Sequence, residues 1–139
     1  MSCASLCLIA GCATPSRHKA AVNPKAIEKL KAAKDGALAC IRYADAHGGQ
    51  FPPNLPAIAG YANTNFLNQL DANFDLVYSG AATNIAKPYA TIVLKEKRAW
   101  QTQGGHWIKT YGFADGHAEL HRSNDGNFDE WENERIIKP

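Results

Sequence analysis

The sequence lacks an apolar run long enough to span a bilayer as a helix. Such a span takes about 20 residues, and the apolar stretch near the start of this 139-residue chain, 2–11, is half that length. Neither sign of charge is in large excess, since the net charge is only +2. No aromatic residue is interleaved with the basic residues of 17–34, so nucleic acid is not an expected partner.

Enzyme motifs are equally scarce. The chain has no internal repeat, and the Gly104-Gly105 pair alone does not make a phosphate-binding loop. No Ser/His/Asp or Cys/His set can be argued, because only His47 follows Cys40 closely, two turns further along the same predicted helix. We therefore expect a non-enzymatic protein without a cofactor.

Cysteine is almost absent from the body of the chain. Three of the four cysteines, Cys3, Cys7 and Cys12, lie in the apolar leader, and only Cys40 lies beyond it. This distribution argues against a framework of two disulfides. Cys40 lies beside the apolar stripe of a predicted helix, where we expect a buried thiol that acts as a small hydrophobic side chain.

The leader ends in Leu8-Ile-Ala-Gly-Cys12, which resembles a bacterial lipobox. In a lipobox the cysteine thiol is acylated and the preceding peptide is removed; small residues such as Ala10 and Gly11 give the peptidase access to the bond. The resemblance implies a signal peptide at 1–12, a polar tether at 13–22, and a lipid on Cys12 that holds the protein at the periplasmic face of the bacterial cell envelope. The alternative is a leader that ends in Gly-Cys without being a lipobox.

The body of the chain changes from helical to strand-like patterning. Asn23-Pro24 is a typical helix start, and apolar residues recur at intervals of three and four from there to about His47. Short helical turns are predicted within 57–70, and strands at 74–78, 89–96, 107–114 and 117–122. This order predicts an α+β fold, in which a long N-terminal helix packs on a small antiparallel sheet of three to four strands.

The last two predicted strands flank Asp115-Gly116, a strong signal for a two-residue hairpin turn. A turn of that length places Phe113 opposite Ala118 and Tyr111 opposite Leu120. These four apolar residues then share the face that closes on the helix. The other face is polar and carries His117, Glu119 and His121.

Three segments together resemble the head of a type II secretion pseudopilin-like protein with a terminal Phe-Ala-Asp-Gly-His-x-Glu hairpin. They are 34–53, which contains Tyr-Ala and Gly-Gln-Phe-Pro-Pro, then 74–80 and 111–120. The resemblance covers about 25–122 and implies a pilin-like domain at 23–123, followed by a polar C-terminal tail at 124–139. It also implies a structural or binding role, with other envelope or secretion proteins as partners.

The start of the chain departs from that family. Pseudopilins begin with a short basic leader, a prepilin-peptidase site and some twenty apolar residues that anchor them and pack the fibre core, whereas here the lipobox at Cys12 stands in that place. A pseudopilin-like head anchored by a lipid on Cys12 accounts for both the lipobox at the start of the chain and the pattern of its body. Assembly with pilin-like subunits does not follow from it.

A different class of function is a small divalent-metal protein. His117, Glu119 and His121 alternate along a predicted strand, so their side chains point the same way, and imidazole and carboxylate groups are zinc ligands. Three such ligands leave one position open for water, which would permit metal-assisted hydrolysis. The simpler interpretation is a polar face that meets water.

The second metal candidate is the twelve-residue stretch 121–132, which has the length of a calcium loop. Ser123, Asp125, Asp129 and Glu132 fall at oxygen-ligand positions three, five, nine and twelve. His121, however, occupies the first position, where calcium needs a carboxylate oxygen. The simpler interpretation is a polar turn that begins a short C-terminal helix.

Overall fold

The computed structural model describes residues 23–138. The predictions for the leader, the tether and lipidation of Cys12 lie outside the described residues. Within that range the helices and strands are α1 (Pro24–Ala46), α2 (Thr64–Asn73), β1 (Phe74–Leu76), β2 (Ile92–Glu96), β3 (Trp100–Gln101), β4 (Trp107–Phe113), β5 (Ala118–Ser123) and α3 (Asp129–Asn133). None of the helices between residues 23 and 138 is long and apolar enough to cross a membrane.

Helix α1 lies where the sequence predicts it. The Asn23 side chain accepts hydrogen bonds from the backbone N–H groups of Lys25, at 3.0 Å, and Ala26, at 3.4 Å. Pro24 takes the first helical position, where no N–H is needed. The helix face that packs on the sheet is made of small buried residues: Ala33, Gly36, Ala37, Cys40 and Ala44.

Glycine lets the sheet come close to the α1 backbone. A Cβ built on Gly112 of β4 would lie 2.8 Å from the carbonyl oxygen of Ala33. On the helix side, a Cβ on Gly36 would lie 2.8 Å from the Leu94 side chain. A larger residue at either position would force the two layers apart.

The sheet is antiparallel throughout, which confirms the predicted α+β fold. β1 pairs with β2, β2 and β3 pair with one edge of β4, and β5 pairs with the other edge. The described strands number five because β3 adds a two-residue pairing in which Gln101 belongs to a stretch predicted as a loop. The predicted strand 89–96 begins only at Ile92, because 88–90 form a 3₁₀ turn.

The turn between β4 and β5 is longer than the predicted two residues. The Phe113 N–H donates to the His117 carbonyl at 2.9 Å, and the Gly116 N–H donates to the Phe113 carbonyl at 2.9 Å. Only Gly116 of the Asp115-Gly116 pair has a positive φ, 95°, whereas a two-residue type I′ turn needs it at both positions. The loop is 114–116, with glycine in the left-handed position, and the prediction is wrong.

The longer turn shifts the hairpin register by one residue. Gly112 lies opposite Ala118, and Tyr111 lies opposite Glu119. Each face therefore combines the predicted apolar set of one strand with the predicted polar set of the other. The face turned away from α1, here called the outer face, carries Tyr111, Phe113, His117, Glu119 and His121. The prediction that Tyr111 and Phe113 close the sheet on α1 is wrong.

Each face of the sheet has its own hydrophobic core. The inner core lies between the sheet and α1, and includes Cys40, Phe51, Leu70, Phe74 and Leu94. The outer core joins Ile92, Tyr111 and Phe113 to Phe128, Trp131 and Ile136 of the C-terminal segment, 124–138. The backbone also takes part, since the Ile92 N–H donates to the Arg135 carbonyl at 2.9 Å. The C-terminal segment, although polar in composition, thus covers the outer face.

Candidate functional site

The His117 side chain lies beside the hairpin turn between two carboxylates. Its Nδ1 contacts Asp115 Oδ1, its Nε2 lies 2.7 Å from Glu119 Oε2, and its ring stacks on Phe113 with centroids 4.4 Å apart. Burial alone would lower the pKa of His117, but the hydrogen bonds to Glu119 and Asp115 outweigh it and raise that pKa above its ordinary value. The site therefore favours the imidazolium form.

His121 lies on the same outer face in a different environment. Its ring stacks on Trp131 with centroids 4.0 Å apart. Burial and the positive charge of Arg135 lower the pKa of His121, against a smaller opposing effect of Glu119. The predicted zinc ligands therefore do not converge on one point. The His117 imidazole is hydrogen-bonded to Glu119, and the His121 ring is stacked on Trp131. Between residues 23 and 138, no three His, Cys, Asp or Glu side chains are arranged to hold a metal ion.

The carboxylate of Glu132 is bound by three side chains at the outer core. The Tyr111 hydroxyl donates to its Oε2 at 2.7 Å, Lys109 Nζ donates to the same oxygen at 2.9 Å, and Lys95 Nζ donates to Oε1 at 3.3 Å. Burial alone would raise the pKa of Glu132, but the hydrogen bonds and the lysine charges hold it below its ordinary value. Burial, with the neighbouring Glu132 carboxylate, raises the pKa of Tyr111, which keeps the hydroxyl a donor.

The other calcium-loop candidates do not join Glu132. Asp125 Oδ1 accepts hydrogen bonds from the Asn127 N–H at 2.9 Å and from Ser123 Oγ at 2.8 Å. Both bonds lower the pKa of Asp125, and the bond from the Asn127 backbone has the larger effect. Asp129 is exposed at the start of α3. The Glu132 side chain is only 8% exposed and faces two lysines, so the loop presents separate carboxylates rather than a common oxygen cage.

The partners of Glu132 were not predicted from the sequence. Lys95 and Lys109 are lysines within predicted strands, and their side chains reach the outer core rather than solvent alone. The available signal was their position: both belong to otherwise apolar strands, where an ammonium group needs a nearby carboxylate. The missing information was the identity of that carboxylate, because it comes from a helix more than twenty residues further along the chain.

A second buried carboxylate lies on the inner side of the sheet. Glu96 is 1% exposed; its Oε1 accepts from the Thr110 N–H at 3.0 Å, and its Oε2 contacts Lys29 Nζ of α1. The pair ties α1 to the end of β2. Sequence patterning missed it, since both residues occupy ordinary surface-like positions in their predicted elements.

Cys40 is a free cysteine with no exposed surface. Burial raises the pKa of its thiol to about 12, so the thiolate is negligible at neutral pH. The thiol acts as a small hydrophobic side chain in the inner core, as predicted.

The polar groups of the outer face are thus occupied by one another: His117 by two carboxylates, Glu132 by two lysines and a tyrosine. Polar networks of this kind, when their members are satisfied, make the fold more rigid. In comparisons with known proteins, no protein-family model, no curated protein and no solved structure matches the chain.

Proposed function

We propose that the chain is a non-enzymatic, lipid-anchored protein of the bacterial cell envelope, whose pseudopilin-like head has a structural or binding role. The observation that carries the proposal is that the three sequence segments behind the resemblance, 34–53, 74–80 and 111–120, contact one another around α1. The resemblance therefore rests on residues that build the fold together.

The Phe-Pro-Pro turn after α1 is bound to the end of the 74–80 segment. The Phe51 N–H donates to the Gly80 carbonyl at 3.0 Å, and the Ala82 N–H donates to the Gly49 carbonyl at 2.7 Å. The Phe51 and Tyr78 rings meet edge to face, with centroids 5.5 Å apart. This contact joins the first and second segments.

The hairpin, the third segment, packs on the same helix. Gly112 approaches the α1 backbone at Ala33, and Gly116 of the turn lies directly against the Leu38 side chain. A pilin-like head consists of a long helix with a small antiparallel sheet on it, and this arrangement agrees with that layout. The mutual binding of the polar groups on the outer face supports a role without catalysis.

The anchoring part of the proposal rests on the lipobox sequence that ends at Cys12. Expression of the full chain in a bacterium fed a labelled fatty acid tests it. The wild-type protein should carry the label and sediment with membranes, and Cys12→Ser should lose both properties. Cys7→Ser is the matched control, because that cysteine leaves with the leader and its replacement should change nothing. Equal labelling of the wild type and Cys12→Ser would contradict the proposal.

A further inference from the structure

One end of the described domain carries a concave basic surface. The first turns of α1 supply Lys25 and Lys29, the loop after β2 supplies Lys97 and Arg98, and β3 begins with Trp100. Together they line a concavity of about 310 Å³. These five residues are here called the basic end.

Two of these charges have no acidic neighbour. Within residues 23–138, neither Lys25 nor Arg98 has a carboxylate within 4 Å, and both side chains are exposed. Lys29 is neutralised by Glu96. Lys97 lies 3.6 Å from Asp75, but both side chains are about half exposed, so that pair is weak. The concavity therefore presents a net positive charge to solvent.

Trp100 adds an aromatic side chain to the same surface. Lys25 Nζ lies 4.5 Å from the centroid of the Trp100 ring, close enough for a cation–π contact. The Trp100 ring is partly exposed, while its indole N–H is buried and has no hydrogen-bond partner among the described residues. Tryptophan is enriched where a bilayer meets water. Lysine beside tryptophan is thus a pair that fits a lipid headgroup layer.

The position of the basic end points the same way, and here the argument rests on the proposed lipid anchor. Lys25 follows Cys12 by only thirteen residues, and the intervening 13–22 includes Arg17 and Lys19. Thirteen extended residues span at most about 45 Å. A lipid on Cys12 would therefore hold the basic end within about 45 Å of the bilayer, on a tether short enough for it to reach the surface repeatedly.

The acidic residues of the C-terminal segment belong to the other side of the sheet. Asp125 and, at the start of α3, Asp129 line a second concavity on the outer face beside Lys109, whereas Lys25 and Lys29 belong to α1 on the inner face. The two concavities adjoin at Ala99. Among the described residues, neither Asp125 nor Asp129 forms an ion pair with a residue of the basic end.

We propose that the basic end docks on an anionic lipid surface. Surface charge attracts each nearby Lys or Arg by about fivefold in affinity. Replacing both unpaired cations should therefore weaken binding to anionic vesicles roughly 30-fold. The attraction should also fall steeply with salt, because the Debye length shrinks from about 14 Å at 0.05 M to about 4 Å at 0.5 M.

The test uses the full chain with Cys12→Ser, so that no attached lipid contributes to binding. Co-sedimentation is measured with vesicles of phosphatidylcholine alone and with about 30% phosphatidylglycerol added, at low and high salt. The variants are Lys25→Gln/Arg98→Gln and, as a matched control with the same loss of charge, Lys87→Gln/Lys138→Gln. Thermal melting confirms that both remain folded, since all four replacements are at exposed side chains.

The expected result is binding that requires phosphatidylglycerol, falls at high salt, and is lost in Lys25→Gln/Arg98→Gln but kept in the control. Equal binding to both vesicles, or an equal loss in both double variants, would overturn the proposal. Tighter binding to a DNA duplex than to the anionic vesicles would overturn it as well. Because no lipid is attached here, vesicle binding can succeed even where labelling of Cys12 fails, so the two proposals are judged separately.

Discussion

Glu132 is the buried carboxylate of the outer core. Its carboxylate joins two lysines of the sheet to the C-terminal segment, and Tyr111 completes the arrangement. Removing one partner of a buried ion pair costs more than the pair itself contributes, because the remaining charge is left without compensation.

The substitution Glu132→Gln should lower the free energy of unfolding by about 2–3 kcal/mol, since Lys109 would keep little exposure and lose its counter-charge. Glu130→Gln is the matched control: it removes the same charge from the same helix at an exposed position, and should change stability by less than about 0.5 kcal/mol. Urea unfolding measures both. Equal effects would show that Glu132 contributes only through net charge.

The two histidines of β5 and its turn should give opposite pH dependences. The pKa of His117 is raised, so its contribution to stability is present below about pH 6.5, its unfolded value, and is lost as pH rises through the folded pKa. The pKa of His121 is lowered, so its contribution is present above about pH 6.5 and is lost as pH falls through the folded pKa.

Melting curves of His117→Gln and His121→Gln between about pH 5 and pH 8 test this, since that range spans the titration of an ordinary histidine. Relative to the wild type, His117→Gln should be most destabilised at the acid end and His121→Gln at the alkaline end. Parallel curves for the two variants would contradict the assigned environments.

At the scale of elements, the β4–β5 hairpin shows where sequence patterning fails. Alternation placed the residues of each strand on consistent sides, and the Asp115-Gly116 signal located the turn. The register depended on one backbone angle: with only Gly116 at positive φ, the loop gains a residue and every cross-strand partner moves by one. The turn types differ little in free energy, so the amino-acid composition does not determine which of them forms.

The observed register makes a prediction at Gly112. In the predicted register, residue 112 lies on the polar face, where an added methyl group would be in solvent. In the observed register, that methyl group would point at the Ala33 carbonyl. Gly112→Ala should therefore destabilise the protein by about 1–3 kcal/mol through overpacking. Gly60→Ala is the control, because a Cβ there meets nothing within 4 Å. If denaturant unfolding shows Gly112→Ala to be as stable as Gly60→Ala, the predicted register would be favoured over the observed one.

At the scale of the whole molecule, α1, its cap and the order of helix and strands were predictable, because local signals at Asn23-Pro24 and the apolar spacing agree. The covering of the outer face was not, since the C-terminal segment is polar and its four large apolar residues, Phe128, Trp131, Ile136 and Ile137, show no clear period. Local sequence patterns also give no information about long-range ion pairs such as those of Glu132 with Lys95 and Lys109.

The two-sided core predicts the effect of truncation. Ending the chain after Asn127 should expose Tyr111 and Phe113 and remove the ion pairs of Glu132 with Lys95 and Lys109, at a cost of more than about 4 kcal/mol. Near-ultraviolet circular dichroism and binding of a hydrophobic dye should report the loss of packing. Removing only 138–139 is the control. A truncated protein that melts like the control would mean that the outer face needs no cover.

We propose that a lipid on Cys12 holds this α+β domain at the cell envelope. The most direct measurement is the intact mass of the protein purified from the membrane fraction. We expect a chain that begins at Cys12, with residues 1–11 removed and the mass of a diacylglyceryl group, with or without a third acyl chain, added. A protein recovered from the soluble fraction with Met1 free and no added lipid would contradict it.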